Sequence, residues 1–340
     1  MKFFVTGELG FIAKNLTKSI LDAGHTQVTV VGTGLGAALL RTSSRSGSAD
    51  VSYDMREPCV HLNTPDRWAK FLIDNSVDVV IHNAAVVGTD VVALNPREAV
   101  LTNVLGTQNI VKACEMAKIP VCYMGTSVIY RTEAYQHTYI DEKSEVLPKT
   151  LYGIQKQAGD LIVKRAETPW MIVRPLFAYG GIGDMNSLIA KAIYASYTGR
   201  DKLDMFLDPN KVKDYIHVTD YCDAVILACQ KSLWNHDLIV AAETPRRTSE
   251  IIELIDSVSR RENLPSKIMK WHPETDYLGN HRLSSSKFRH MSGWEPKISL
   301  EEGIKMSRDS IVSSLTESSY NPLTYLDEAR QKGIDLTKFY

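Results

Sequence analysis

Tyr152 and Lys156 stand four residues apart in LYGIQKQAGD, a spacing that puts a phenol and an ammonium on one face of a helix. A free tyrosine titrates near about 10 and is a poor base at neutral pH, but a neighbouring ammonium favours the phenolate and lowers that value. The pair can therefore pass a proton to or from a carbonyl oxygen. A second Tyr-x-x-x-Lys, Tyr139 to Lys143 in YIDEK, lies in a polar stretch without helical flanks and reads as fortuitous. Upstream, the apolar run PVCYMG ends in Thr126 and Ser127. As a sheet strand it would place their hydroxyls at the carboxyl edge, where open α/β sheets bind ligands. Hydroxyl, phenol and ammonium together can hold and protonate a sugar or alcohol oxygen while a nicotinamide exchanges hydride.

A second set of residues has the spacing of a phosphate cradle. In VTGELGFIAKN, from Val5 to Asn15, the pattern Thr-Gly-x-x-Gly-x-x-Ala follows a strand-like run and opens a helical one, the context that gives a glycine fingerprint meaning. Gly7 permits a tight turn, Gly10 lets backbone approach a pyrophosphate on the positive helix end, and Ala13 is small enough for helix and strand to touch. Leu9, Phe11 and Ile12 complete the expected cofactor-binding loop and first turn. Glu8 is the misfit, since its carboxylate would repel a diphosphate; it is expected to point to solvent.

At the end of the second apolar run, an acid commonly accepts the adenosine ribose hydroxyls of NAD. Here QVTVV runs into Gly32 and Thr33, and no acid follows until Asp50. Without that carboxylate nothing excludes a 2′-phosphate, and Arg41 and Arg45 follow, so the expected cofactor is NADP, with NAD as the alternative. The cluster GTGLG at Gly32 to Gly36 comes after the second strand instead of the first and reads as a flexible loop.

These residues need a particular scaffold. Short runs rich in Val and Ile (KFFVTG, QVTVVG, VDVVIHNAA, PVCYMGTS, WMIVRP) alternate with stretches whose apolar residues recur three and four apart. That alternation predicts βαβ units in a doubly wound parallel α/β sheet of Rossmann type. Residues 1–175 are read as the dinucleotide-binding domain, with returning segments at about 210–245; residues 176–340 are read as mainly a smaller substrate-binding lobe and tail. In the latter, TSEIIELIDSVSR has clear helical spacing.

A length of 340 residues is ample for one large domain with a smaller lobe. A formal charge of -1 gives no basic surplus for nucleic acid or an anionic membrane. Five cysteines without a CxxC pair argue against a disulfide framework or structural zinc, and none of the nine histidines forms a His-Glu-x-x-His set. His82 and His217 read as hydrogen-bonded structural groups. With no leader-like amino terminus and no long apolar run, the expectation is a cytoplasmic enzyme without a metal.

The set TGELGFIA, YDMREP, HNAA, TNVLGT, GTSVIY, YGIQK, VRP, KDYIHV and GWEP, in this order over nearly the whole chain, resembles the extended short-chain dehydrogenase/reductase family, especially its nucleotide-sugar epimerase and dehydratase branch. The resemblance implies a catalytic triad of Thr126, Tyr152 and Lys156, with Tyr152 the acid/base and Lys156 also holding the nicotinamide ribose. It places Asp54 and Met55 at the adenine, Ala84 and Ala85 along the cofactor channel, and Asn103 as a structural asparagine in an Asn-Val-x-Gly-Thr turn. It further implies a homodimer paired through helices near Arg97 to Met116 and Leu151 to Glu167.

The departures from that family narrow the chemistry. Dehydratases of this branch carry Asp-Glu after the catalytic Thr, because 4,6-elimination needs an acid and a base; here Ser127 and Val128 stand there. Epimerisation through a 4-keto intermediate or ketone reduction remains, with hydride transfer at C4 of a nucleotide-activated sugar. On the substrate side, Thr126 and Ser127 are joined by Phe177, where the family has Asn, and by Lys213, where it has a diphosphate-binding Arg. Arg282, Lys211 and Asn186 are further candidates for the diphosphate. Phe177 and Lys213 also motivate an alternative, an NADPH-dependent reductase of a small non-nucleotide ketone or aldehyde.

Overall fold

KFFVT, the first apolar run, forms β1 (Lys2–Thr6) within an eight-stranded sheet. The computed structural model describes residues 1–7, 10–32, 38–44, 47–53, 65–184, 187–199, 202–205, 207–260, 268–276 and 278–317. After β1 come α1 (Phe11–Asp22), β2 (Thr26–Gly32), β3 (Ala38–Ser44) and β4 (Gly47–Tyr53). The alternation continues with α2 (Pro65–Asp74), β5 (Val79–His82), α3 (Thr89–Leu94) and α4 (Pro96–Val100). A π-helical turn (Leu101–Gly106) runs directly into α5 (Thr107–Ala117), followed by β6 (Val121–Met124) and a 3₁₀ turn (Ser127–Ile129). Next are α6 (Leu151–Lys164), β7 (Trp170–Arg174), β8 (Ala178–Tyr179), α7 (Leu188–Thr198) and β9 (Lys202–Met205). β10 (Val212–Lys213), β11 (Ile216–His217), α8 (Val218–Gln230) and β12 (His236–Ile239) return the chain to the main sheet. β13 (Arg246–Arg247), α9 (Thr248–Ser259), β14 (Ile268–Trp271), α10 (Ser286–Ser292) and α11 (Leu300–Glu317) complete the described elements.

The sheet order is β12-β7-β6-β5-β1-β2-β3-β4, and neighbours from β12 to β2 are parallel. This is the α/β architecture that the apolar runs predict. One part differs: β3 and β4 add to the edge as antiparallel strands. The connection from Gly32 to Ala38 is far too short for the crossover that a parallel strand requires, so the chain can only turn back on itself.

Both faces of β1, β5, β6 and β7 are buried, which is why these runs are continuously apolar instead of alternating. Phe3 and Val5 pack with Leu16 and Ile20 of α1 and Val225 of α8. Phe4, pointing the opposite way, packs with Trp68 and Phe71 of α2 and Ile110 of α5. A separate core joins α7, α9 and α11 through Ile189, Ile193, Ile251, Ile255 and Ile304. Asn15 of α1 ties the Gly-rich bend after β8 to the main sheet, since its amide donates to the Ile182 carbonyl (3.0 Å) and accepts from the Ile182 N–H (2.9 Å). Gly181 has φ +67° and presses against the Asn15 amide, so any side chain there would collide with the clamp.

Candidate active site

The site is built where β6 ends and α6 begins. Thr150 caps α6, its hydroxyl accepting the Gly153 N–H at 3.0 Å. A Cβ on Gly153 would lie 2.9 Å from Pro148 and 3.5 Å from the Val128 carbonyl, so the first turn of α6 rests on the 3₁₀ turn. Tyr152, in that turn, is half-buried. Lys156 follows one turn later, 3% exposed, and its ammonium donates to the Met124 carbonyl at 2.7 Å. Thr126 is two residues beyond Met124; it is buried, and its hydroxyl accepts the Val128 N–H at 3.3 Å. The Thr126 hydroxyl and the Lys156 ammonium thus meet the end of β6, and Tyr152 sits one turn before Lys156 on the same helix. Ser127 is also there, fully buried, with an Oγ that lacks a hydrogen-bond partner.

Lys156 is electrostatically poised. Burial pushes its pKa down to about 7, Asp160 one turn further along α6 opposes that shift, and Arg174 adds to it. Its Nζ also lies 4.0 Å from the centre of the Tyr123 ring. Behind it, Arg174 is almost completely buried and donates to Asp160 at 2.8 Å and to both oxygens of Asp237 at 2.6 and 2.7 Å. Its Nη1 also reaches the Thr126 carbonyl at 3.3 Å. Spacing alone did not find this support; the one signal was Asp160, four residues after Lys156.

On the proposed cofactor side, Gly7 has φ +75°, and a Cβ on it would come within 2.8 Å of Ala84 Cα. Glycine there serves both a strained turn and the close approach of two loops. Gly10 caps α1 in extended backbone and, as glycine, brings no side chain of its own to the helix's first N–H groups. Phe11 and Ile12 pack against the core beside it. Ala84 and Ala85 are half-buried, and Thr6 Oγ1 accepts from the Asn83 and Ala84 N–H groups at 3.1 and 3.0 Å.

His82 sets the direction of that chain. The Thr107 hydroxyl donates to the Asn103 carbonyl (2.8 Å) and so accepts from His82 Nε2 (3.1 Å). Nδ1 is left to accept from the Thr6 hydroxyl at 2.8 Å. Burial, helped by Lys156, holds the imidazole neutral, with a pKa pushed down to about 3.

Three expectations change. Asn103 lies not in a turn but inside the π-helical segment, where its amide accepts the Val86 N–H (2.8 Å) and donates to the Val86 carbonyl (3.0 Å) and Gln155 (2.9 Å). It positions the loop after β5. Lys213 is fully buried, and its ammonium is held by Asp276 at 3.0 Å and the Gly279 carbonyl at 2.7 Å, so its charge is already matched. Phe177 has φ +47° and stacks on Tyr215 at 5.1 Å, in place of a polar substrate contact. Arg41 is in strand β3, its backbone paired opposite Thr29, and its side chain lies outside the described residues.

Arg282 is half-buried with an Nε lacking a partner, and Lys211 uses its backbone to hold Thr248. Leu9, Thr33, Asp54, Met55 and Asn186, with Glu8, lie outside the described residues. Among the described residues, no cluster of His, Cys, Asp or Glu could hold a metal ion.

Over 338 residues the chain is 23% identical to a dTDP-glucose 4,6-dehydratase of Xanthomonas campestris, covering 92% of this chain and 94% of that one. The fold matches a UDP-glucuronic acid 4-epimerase of Bacillus cereus solved with UDP-glucuronic acid and NAD, at TM-score 0.75 and 22% identity, over 92% of this chain and 99% of that one. It also matches RMD of Pseudomonas aeruginosa, solved with NADPH, at TM-score 0.72 and 20% identity, again over 92% and 99%. The family model described as the NAD dependent epimerase/dehydratase family matches residues 3–241, a span holding the glycine loop, Thr126, Tyr152 and Lys156. The chain belongs to that family.

Proposed function

We propose that the protein uses a nicotinamide dinucleotide to move hydride at a ring carbon, C4, of a nucleotide-activated sugar, as an epimerase or a 4-ketoreductase. The observation that carries this reading is the seating of Lys156 on the Met124 carbonyl at the end of β6, two residues before Thr126, by the helix that also carries Tyr152. The residues fit the cofactor: the N-terminus of α1, whose N-cap is a glycine without a side chain, suits a diphosphate, and Gly7 allows the close turn against Ala84 that leads into it. When bound, the nicotinamide would give or take the hydride; Tyr152 would exchange the proton of the sugar oxygen, Thr126 would orient that oxygen, and Lys156 would favour the phenolate. The Ser127-Val128 pair at the dehydratase acid/base positions supports a reaction without 4,6-elimination, in contrast to the activity named for the Xanthomonas relative.

NADP is the proposed cofactor, because β2 ends at Gly32 and not at an acid. The substrate test is competition: UDP, GDP, CDP or dTDP inhibiting at micromolar to low millimolar concentration supports a sugar nucleotide. Inhibition by none of them supports the second reading, a reductase of a small uncharged ketone, which the Lys213–Asp276 pair favours by leaving Lys213 without a free charge.

Leu151, Ile154 and Leu161 form an exposed apolar row on α6, and Leu94, Val100 and Leu105 are exposed on the neighbouring helical segments. We assign this face to a homodimer, which sedimentation velocity would contradict by showing only monomer at micromolar concentration. No described helix is long and apolar enough to cross a membrane. Four described cysteines are buried free thiols, which favours the cytoplasm.

A further inference from the structure

Tyr123 is the third residue of β6, and its side chain leaves the sheet on the face opposite Cys122 and Met124, which cluster with residues of α8. It is fully buried among Val111 of α5, Val163 of α6 and Ile172 of β7, with the His82 ring beside it at 5.8 Å. Against α6 the ring fits because residue 159 is glycine. A Cβ there would come within 2.8 Å of Tyr123 Cζ and closer still to the hydroxyl. Lys156 stands three residues before Gly159, on the same face of the helix, and its ammonium lies 4.0 Å from the centre of the ring. Neighbours on three elements therefore pin the ring while its face is turned to the lysine.

That contact answers an electrostatic need. Burial, with Arg174 adding to it, pushes the Lys156 pKa down to about 7 against the pull of Asp160. An ammonium has three donors, of which the Met124 carbonyl takes one at 2.7 Å. The titratable and charged groups around it are Tyr152 and Asp160 on α6, Arg174 on β7 and His82 on β5. Asp160 is already bonded to Arg174 at 2.8 Å, and His82 is held neutral by burial and by Lys156 itself. The negative face of an aromatic ring attracts an ammonium within about 6 Å of its centre, most strongly where water is excluded. The ring, not the hydroxyl, makes this contact: Tyr123 Oη abuts Gly159 and makes no well-formed hydrogen bond, with the Thr107 hydroxyl nearby.

We propose that Tyr123 is a positioning residue for the reaction: its ring face keeps the Lys156 ammonium charged and seated at the end of β6, and through Lys156 it supports proton transfer at Tyr152. The proposal rests on the Tyr152 and Lys156 reading above and adds to it the group that stabilises the lysine.

The test follows the titration of Lys156 in the whole protein through its ¹³Cε resonance, assigned by its loss in Lys156→Met, and the pH profile of kcat. Tyr123→Met keeps the bulk and removes the ring; it should lower the Lys156 pKa by about one unit, the size of a desolvated cation–π contact. An ammonium is present below its pKa and lost above it, so the alkaline limb of kcat should move about one pH unit toward acid. Tyr123→Phe keeps the ring face and should stay within about 0.3 unit of wild type in both readouts. Progressively fluorinated phenylalanine at position 123 holds the shape nearly constant while weakening the negative face, and should shift the titration stepwise toward that of Tyr123→Met. That series decides the matter if Tyr123→Met does not fold, because packing alone would not follow the fluorine count. A Lys156 titration unmoved by fluorination, or by Tyr123→Met in a folded protein, overturns the proposal. Full activity in Tyr152→Phe defeats the acid/base reading separately, and the catalytic role of Tyr123 with it, whatever the lysine titration shows.

Discussion

Tyr152→Phe is expected to lower kcat by about 10²- to 10⁴-fold, the range contributed by a positioned general acid or base. Tyr152 is half-buried in the first turn of α6, and that turn is held independently by the Thr150 cap and the Gly153 contacts. Removal of one hydroxyl should therefore leave the fold and cofactor affinity intact. Because the proton moves only as the reaction proceeds, kcat and kcat/KM should fall together, while a KM effect alone would mark simple substrate binding. Lys156→Met should act in the same direction, since it removes the ammonium that favours the phenolate. A Tyr152→Phe protein keeping more than about a tenth of the rate would contradict the acid/base role. A biological role untouched by that variant would mark the protein as a cofactor-binding scaffold instead of an enzyme.

Arg174→Met is expected to be the most damaging single substitution for stability. It would leave the Asp160 and Asp237 carboxylates without the guanidinium that both bond, in a site where Arg174 and Asp160 are nearly inaccessible. Breaking a buried pair by removing one partner costs about 3–5 kcal/mol. The melting temperature should drop by roughly 10 °C. Asp160→Asn added to Arg174→Met should recover part of the loss, because it removes a stranded charge.

The pH dependence follows from the two carboxylates separately. Burial raises the Asp237 pKa, but Arg174 and Lys164 outweigh it and hold the group below the ordinary carboxylate value. Stability from a depressed carboxylate is present above its unfolded pKa, about 3.9, and is lost as pH falls through the folded value. Asp160 is raised instead, by burial, with Arg174 opposing. Without Arg174 both would titrate upward, so the variant's deficit should be larger at pH 7 than at acidic pH. An equal deficit at both, measured by denaturant unfolding, would mean that lost packing and not stranded charge is the cause.

What was legible in the sequence was local. KFFVT and VVIH announce buried strands through unbroken apolar composition. Tyr152 and Lys156 were legible because one helical turn fixes their relation. What was not legible joins residues distant along the chain. Arg174 meets Asp237 across 63 residues and Lys213 meets Asp276 across another 63, so neither charge could be matched to its partner by spacing. The fate of Lys213 matters most here: as a sequence it is a free cation before DYIHV, and in the fold it is a buried half of an ion pair. Asn103 shows a related limit, since a π-helical turn between α4 and α5 has no signature in LTNVLG. The antiparallel β3 and β4 were hidden for another reason: GTGLG reads equally well as a loop before a helix or as a turn between strands.

The central claim is that this edge of the sheet works with a nicotinamide dinucleotide. The most direct measurement is mass spectrometry of the small molecules released by the purified, denatured protein, followed by titration of the emptied protein with NADPH and NADH. The account predicts about one nicotinamide dinucleotide site per chain, with NADPH bound more tightly than NADH. Stoichiometric NAD⁺ carried through purification would keep the site but contradict the inference from Gly32, and would identify a closed redox cycle, as in an epimerase. No release of a dinucleotide and no binding of either at millimolar concentration would contradict the account.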